Sequence, residues 1–380
     1  MKFFLAFLQS QIRHPVPAYD FWEYYIKNGI KEAGHDWAEC PDVDWALGLV
    51  PQNEADYSKW KQNTWQRTVD HLKKNPVDIF LSYLHPRQID VSAIQEIKRS
   101  GIPCVNFFCD NIRKFNTVPP EFKVFDLNWV PEYPALALYK RAGYPFIYLP
   151  MPMWVEPALR HFPVEKYPQI TFIGSKDIQR QVLLNDIVNA EPDLPLVIYG
   201  NGWENDRFDL PKLSSGTEKI LNQFHFLYKN GLKPYIRKVM QSGNTPGVSS
   251  ILRQKIGKKL TFDDYTSLTA QSMITMGINR YPSYNYPFNA PNTYSRLRDI
   301  EAPMLGACYL TEWTPGIEDL YDIDNEINTY KSDADFIERS KHLLSDQNKR
   351  ESLRANAQKK ALTTHCIPGS LNKIIRMLNL

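Results

Sequence analysis

Arg298 and Glu301 stand three residues apart in RLRDIEAPMLGACYLTE (296–312), so on a helix they share one face. A guanidinium suits a diphosphate, and a carboxylate suits the two hydroxyl donors of a ribose; together they can grip a nucleotide. The plainer alternative is a surface ion pair. Ala302, Met304, Leu305 and Ala307 argue against it, because they mark a helix that lies on a core. Three apolar runs in the same half of the chain end alike. TFIGS (171–175) ends in Gly174-Ser175, VIYGNGW (197–203) ends in Gly200, Gly202 and Trp203, and the first stretch contains Gly306. Glycine after a strand lets backbone N–H groups approach an anion, and a following helix start favours its charge. One such turn is common; three on one sheet edge point to an anionic ligand. Lys176 and Arg180 follow Gly174 at the head of a helix, where they can neutralise a departing diphosphate or simply form a solvated first turn. Tyr199 and Trp203 are candidates to stack on a base, with a core position the alternative for Tyr199.

In the first half, His14 and Asp20 flank the connection SQIRHPVPAYD, while His85 and Asp110 follow apolar runs at 77–84 and 102–108. A base that takes a proton from an acceptor hydroxyl must come from this side. Asp110 is the first choice as base or acceptor ligand and His14 the second, a lone histidine being more often structural. Asp322-Ile-Asp324 spells D-x-D but lies in a late loop, and Asp263-Asp264 read as caps of a helix starting near Tyr265. No phosphate-binding G-x-x-x-x-G-K-[ST], no H-E-x-x-H and no G-x-S-x-G occurs, which removes kinase, zinc-protease and serine-hydrolase readings.

The elements that must position these residues alternate. Strand-like runs at 2–8, 77–84, 102–108, 127–130 and 145–150 enclose helical patterns at 19–35 and 91–101. PMPMWVEPALRHFPVEKYP (150–168), with five prolines in nineteen residues, is a stiff connector. Alternation restarts at 169–174, 177–190, 194–200, 271–279 and 307–312, and closes with a charged helix near 332–362. This order indicates α/β architecture with two parallel sheets, and ligands at the carboxyl ends of their strands. The expected domains are 1–150 for the acceptor, a linker at 151–168, 169–362 for the donor nucleotide, and a tail at 363–380 that crosses back to the first domain.

At 380 residues, 43% hydrophobic and 23% charged, the chain has the composition of a globular protein with two cores. A net charge of +3 argues against general attraction to nucleic acid. The five cysteines form no C-x-x-C pair and fit a reducing cytoplasm. No run of about eighteen apolar residues occurs, and MKFFLAFLQS reads as a buried strand rather than a leader. An insert near 204–260 breaks the pattern. From Lys219 to Leu260 there are nine Lys or Arg and no Asp or Glu, with Ile220, Phe224 and Leu227 on one helical face ending at Gly231. Such a stretch suits peripheral contact with the inner membrane face through 219–260, or an anionic acceptor; a solvated excursion is the alternative.

The order TFIGS, VIYGNGW, INR (278–280), NTYSRLRDIEAPMLGACYLTE (292–312) and NEINTY (325–330) resembles that of the spore-maturation-protein-B-like glycosyltransferases. These are a branch of the group 1 glycosyl transferases with the GT-B fold. The resemblance runs from about 169 to 365; earlier, only the αβ alternation and FFCDN (107–111) are similar. It implies a GT-B fold, two Rossmann-like parallel-sheet domains facing across a cleft. It also implies metal-independent transfer of a hexosyl or related sugar from a nucleotide-diphosphate donor of the UDP type, with no resident cofactor. The acceptor would be a hydroxyl on an unidentified glycan, lipid-linked molecule or protein. Donor contacts fall to Gly174, Ser175, Lys176, Arg180, Tyr199, Gly200, Trp203, Arg298 and Glu301. Glu301 matches the carboxylate that binds the donor ribose, Arg298 the arginine ahead of it, and Glu326–Tyr330 the segment closing the donor lobe. The E-x7-E pattern of many retaining relatives requires an acid at 293, where Thr293 stands, so retention and inversion both remain open. The alternatives are a sugar-nucleotide epimerase, a DNA-base glycosyltransferase, or a catalytically silent coat or surface protein.

Overall fold

The computed structural model describes residues 1–14, 16, 19–204, 223, 224, 226, 227, 231–241, 247–281 and 291–380. The chain forms two compact units. One holds Met1–Glu156, Ser295–Glu301 and Lys360–Leu380; the other holds Pro157–Tyr294 and Ala302–Lys359.

The first unit is built on six parallel strands: β1 (Lys2–Ala6), β2 (Asp36–Ala38), β3 (Ile79–Ser82), β4 (Cys104–Phe107), β5 (Leu127–Val130) and β6 (Phe146–Tyr148), in the order β2-β1-β3-β4-β5-β6. Phe3, Phe4, Leu5 and Ala6 are all fully buried, as a strand covered on both faces requires. The helix Tyr19–Glu32 packs on the helix Ile367–Met377 so closely that a Cβ on Gly29 would stand 2.5 Å from Ile367. With the bridge between Met153 and Cys366, this contact seats the last residues in the first unit. The helix Glu54–Lys74, capped by Asn53, had no counterpart in the sequence reading. Its buried stripe mixes Thr64 and Thr68 with Trp60 and Trp65 among lysines and glutamines, so its apolar period is faint.

The second unit has five parallel strands: β7 (Tyr167–Ile173), β8 (Leu196–Tyr199), β9 (Ser272–Gly277), β10 (Tyr309–Glu312) and β11 (Asn328–Tyr330), in the order β11-β10-β9-β7-β8. Its core gathers Ile170, Phe172, Leu184, Ile198, Ile274 and Leu310. At the opposite end from the strand termini that concern function, Arg354 is 1% exposed and donates to the carbonyls of Ala270 (2.6 Å), Gly306 (2.8 Å) and Ser272. Arg350 completes the cluster with a two-pronged bond to Glu165, at 2.8 and 2.9 Å. A planar guanidinium can tie several backbone segments at once, which a lysine could not do.

Two sequence expectations are corrected. The charged helix near 332–362 is two helices, Asp333–Ser345 and Gln347–Lys360, separated at Asp346. Asp263-Asp264 do not precede their helix. Thr261 is its N-cap and Asp264 completes a reciprocal capping box, so the helix spans Phe262–Gln271. In the basic insert the described helices are Leu232–Gln241 and Ser250–Gln254; Lys219, Ile220 and Lys229 lie outside the described residues, as does the side chain of Asp20. All five cysteines are buried and unbridged. Among the described residues no helix is long and apolar enough to cross a membrane.

At the carboxyl end of β5, Glu132 is completely buried. One carboxyl oxygen accepts the Asn111 N–H at 2.6 Å, and the other has no hydrogen-bond partner. Burial, with a smaller push from Asp110, lifts its pKa to about 8 against the opposing pull of the Asn111 bonds. The folded protein therefore holds a proton that the unfolded chain releases above the ordinary glutamate range. The resulting stability is complete at acid pH and is lost as pH rises towards 8. Glu132→Gln keeps the shape and the acceptor but has nothing to ionise. Its melting temperature should exceed wild type by a few degrees at pH 8.5 and converge with it by pH 5 in differential scanning calorimetry. A difference that does not vary with pH would disprove this account.

Candidate functional site

Arg298 and Glu301 do lie on a helix, Arg298–Met304. The Arg296 N–H bonds the Asp299 carboxylate at 3.1 Å and opens it. Gly306, at φ +77°, ends it with N–H bonds from Gly306 to Pro303 O and from Ala307 to Ala302 O, at 2.9 and 3.0 Å. Arg298 Nε and Glu301 Oε2 are 3.6 Å apart, with side chains 26% and 11% exposed, which is an ion pair rather than a short hydrogen bond. Tyr25, on the helix Tyr19–Glu32, lies in the field of both. Burial and then Glu301 push its phenol pKa up, and Arg298 opposes them, so it stays a neutral hydroxyl.

The strand ends of the first unit gather the other candidates. His14 Nε2 is 2.6 Å from Asp44 Oδ2, which also accepts the Ser10 hydroxyl at 2.7 Å; Asp44 Oδ1 accepts the Leu47 N–H at 2.9 Å. A carboxylate so anchored orients the imidazole, the arrangement expected of a positioned base. Asp44 escaped the sequence reading, and its only local signal is two aspartates before Trp45. Asp110 lies 3.5 Å from Arg113 and 3.6 Å from Lys114. Its carboxylate is thus engaged by two neighbouring cations on its own short helix. His85 faces Lys114 at 3.4 Å and is packed against Phe108; burial and Lys114 lower its pKa to about 3, so it is neutral. Glu132, also missed, holds the backbone of the Asp110 turn from beneath.

In the second unit, the glycines meet one another. A Cβ on Gly200, at φ +132°, would stand 2.3 Å from Gly174 O, and the Gly174 N–H bonds Tyr199 O at 2.8 Å. Trp203 is completely buried and donates its indole N–H to Gly174 O at 2.7 Å. It has no face for a base; the stacking expected of it is replaced by a core role. Tyr199 is 9% exposed and packs against Gly257. Arg180 lies 3.2 Å from Asp177 and donates to Ser175 O at 2.7 Å, bracing the turn it follows. Ser175 is exposed and Lys176 half-buried at the same turn. At the ends of β9 and β10, Arg280 and Glu312 form a buried pair at 2.9 Å, and Glu312 also accepts the Asn279 and Arg280 N–H groups. This closed cluster escaped the reading, although INR was quoted for its order. Glu326 turns back to the Asp322 N–H at 2.8 Å, and Tyr330 caps Gly277 O at 2.8 Å from the edge strand β11. Among the described residues no group of three or more His, Cys, Asp or Glu is placed to hold a metal ion.

Several solved structures share this architecture. The sucrose-phosphate synthase of Thermosynechococcus elongatus matches with a TM-score of 0.58 and 10% identity, over 99% of this chain and 98% of that one. A glycosyltransferase of Rickettsia africae ESF-5 gives 0.58 and 11%, over 99% and 98%. HepE of Anabaena, in complex with UDP and glucose, gives 0.56 and 11%, over 100% and 99%. At these identities the likeness shows the fold, which is GT-B with two Rossmann-like parallel sheets. No curated protein matches the chain in sequence. A family described as glycosyl transferase-like matches residues 179–375, more than half of the chain, and the protein belongs to that family.

Proposed function

We propose that the protein transfers a sugar from a nucleotide-diphosphate donor to a hydroxyl, in the manner of the spore-maturation-protein-B-like branch. The observation that carries this reading is the half-buried Arg298–Glu301 pair on one helix face. Glu301 accepts the ribose hydroxyls and Arg298 meets the diphosphate. HepE was crystallised with UDP and with UDP-glucose, which supports a UDP-type donor. Within the second unit, Ser175 and Lys176 carry the expectation of phosphate contact. In the reaction the acceptor oxygen bonds the anomeric carbon, whose bond to the diphosphate oxygen breaks. The electron pair leaves on the nucleoside diphosphate, and the hydroxyl proton passes to a base. Anchored by Asp44, His14 suits that base better than Asp110 does, held as Asp110 is between two cations. Cationic side chains would stabilise the leaving diphosphate without a metal.

The helix Leu232–Gln241 supports peripheral membrane contact. Leu232, Ile236, Val239 and Met240 follow an i, i+4, i+7, i+8 pattern and are all exposed, in a stretch rich in basic residues and free of acidic ones. An apolar stripe with basic flanks fits the surface of an anionic bilayer.

Glu301→Ala should weaken UDP binding at least about tenfold in calorimetry, since each charge-assisted hydrogen bond contributes roughly 1.5–3 kcal/mol. Wild type should discriminate against a 2′-deoxy donor and Glu301→Ala should not; equal discrimination by both would return the pair to a structural role. Turnover should survive excess chelator, whereas loss that manganese or magnesium restores would assign the leaving-group task to a metal. Replacing Ile236 and Val239 by Ser should reduce sedimentation with vesicles containing anionic lipid in low salt at least several-fold. Undiminished sedimentation would refute the membrane role.

A further inference from the structure

Two adjoining cavities lie beside β2, the edge strand of the first unit. One, of about 400 Å³, is lined by Gln9, Ser10, Glu23, Trp37, Glu39 and Asp42 among others; no lysine, arginine or histidine is among its described lining residues. The other, of about 550 Å³, shares Glu23 and Trp37 and adds Lys27. Lys27 pairs with Glu23 and, at 2.9 Å, with Glu39, and it stands 4.5 Å above the Trp37 ring. The first cavity therefore combines an indole with Asp42, with Glu23 and Glu39 that share one ammonium, and with the Gln11 amide, the Gln9 amide being bonded to Leu5 O and the Phe7 N–H. Both volumes are of the size that holds a small ligand. Two of the non-glycine residues with left-handed backbone, Leu8 at φ 63° and Asp42 at φ 60°, stand at this cavity: Leu8 immediately before its wall and Asp42 in it. A bulky leucine adopts that conformation rarely, and such backbone concentrates at functional sites.

The chemistry of the walls selects a ligand. Carboxylates accept hydrogen bonds from hydroxyls, amides both donate and accept, and an indole offers a flat apolar surface to the C–H face of a sugar ring. Three carboxylates against the single Lys27 ammonium leave the wall net acidic, which disfavours phosphate and carboxylate groups. Ser10, on the wall, donates at 2.7 Å to the Asp44 oxygen that holds His14 at 2.6 Å, so the cavity is wired to the best-oriented base of this unit. We infer that the first cavity is the acceptor site and takes a neutral, hydroxyl-rich carbohydrate, packed on Trp37 and held by Glu23, Glu39 and Asp42. The word acceptor rests on the glycosyl-transfer reading; carbohydrate binding does not, and it can be measured without a donor.

The test uses the full chain on an array of neutral, uronate-bearing and sialylated oligosaccharides, followed by calorimetry with the strongest neutral binder. Neutral glycans should bind and acidic ones should not. Trp37→Ala should weaken binding at least tenfold. Asp42→Asn, which keeps a residue tolerant of positive φ and therefore the fold, should weaken it several-fold and reduce discrimination against uronates. Melting temperatures close to wild type establish that both variants are folded; should Trp37→Ala fail that check, Trp37→Phe and Asp42→Asn decide the matter. No array binding, equal binding of acidic glycans, or variants that bind as wild type would overturn the inference. A parallel UDP titration separates the two ideas. UDP binding without glycan binding retains glycosyl transfer and discards this cavity, and glycan binding without UDP binding does the reverse.

Discussion

A parallel sheet sends the carboxyl end of every strand to one edge, and every return connection must cross a face of the sheet. Both units obey this constraint, and it decides where chemistry can be placed. In the first, β1, β3, β4 and β5 hand over to Ser10–His14, His85, Asp110 and Glu132. In the second, β7 to β10 hand over to Gly174–Lys176, Gly200–Trp203, Asn279-Arg280 and Glu312. Residues far apart in sequence meet because neighbouring strands end together. The crossovers bury both sheet faces, which is why the strands read as nearly unbroken apolar runs.

The polar groups at these edges differ in how completely they are satisfied, and that difference separates scaffold from candidate machinery. Glu312 takes bonds from a guanidinium and two backbone N–H groups, so it is closed to other partners. Glu132 is met by the Asn111 turn and by no cation, and it relieves burial by holding a proton. Asp44 divides its oxygens among a histidine, a serine and a backbone N–H, which fixes an imidazole without neutralising it as a lysine or arginine would. Scaffold pairs cancel their charges internally. Arg298 and Glu301, by contrast, stand 3.6 Å apart, farther than a hydrogen bond.

Charge is also partitioned along the chain. The cavity beside β2 is acidic, whereas the stretch from Lys219 to Leu260 is wholly basic. A near-neutral total therefore conceals segments of opposite charge.

Local patterns were enough to read the architecture. The apolar runs of β1, β3 to β5 and β7 to β10 are visible because burial on both faces demands them, and Arg298 and Glu301 share a face because helix spacing is a local property. The strands β2 and β11 escaped because their three residues lie among polar ones, whereas the equally short edge strand β6 showed within the apolar run at 145–150. The helix Glu54–Lys74 escaped because threonines dilute its buried stripe. Tertiary structure alone decided which charges meet. Asp44 reaches His14 across thirty residues, Glu312 reaches Arg280 across thirty-two, and Trp203 turns inward to bond Gly174 instead of facing a ligand. Those outcomes depend on which strands lie side by side, and strand order is a property of the assembled sheet that no window of sequence contains.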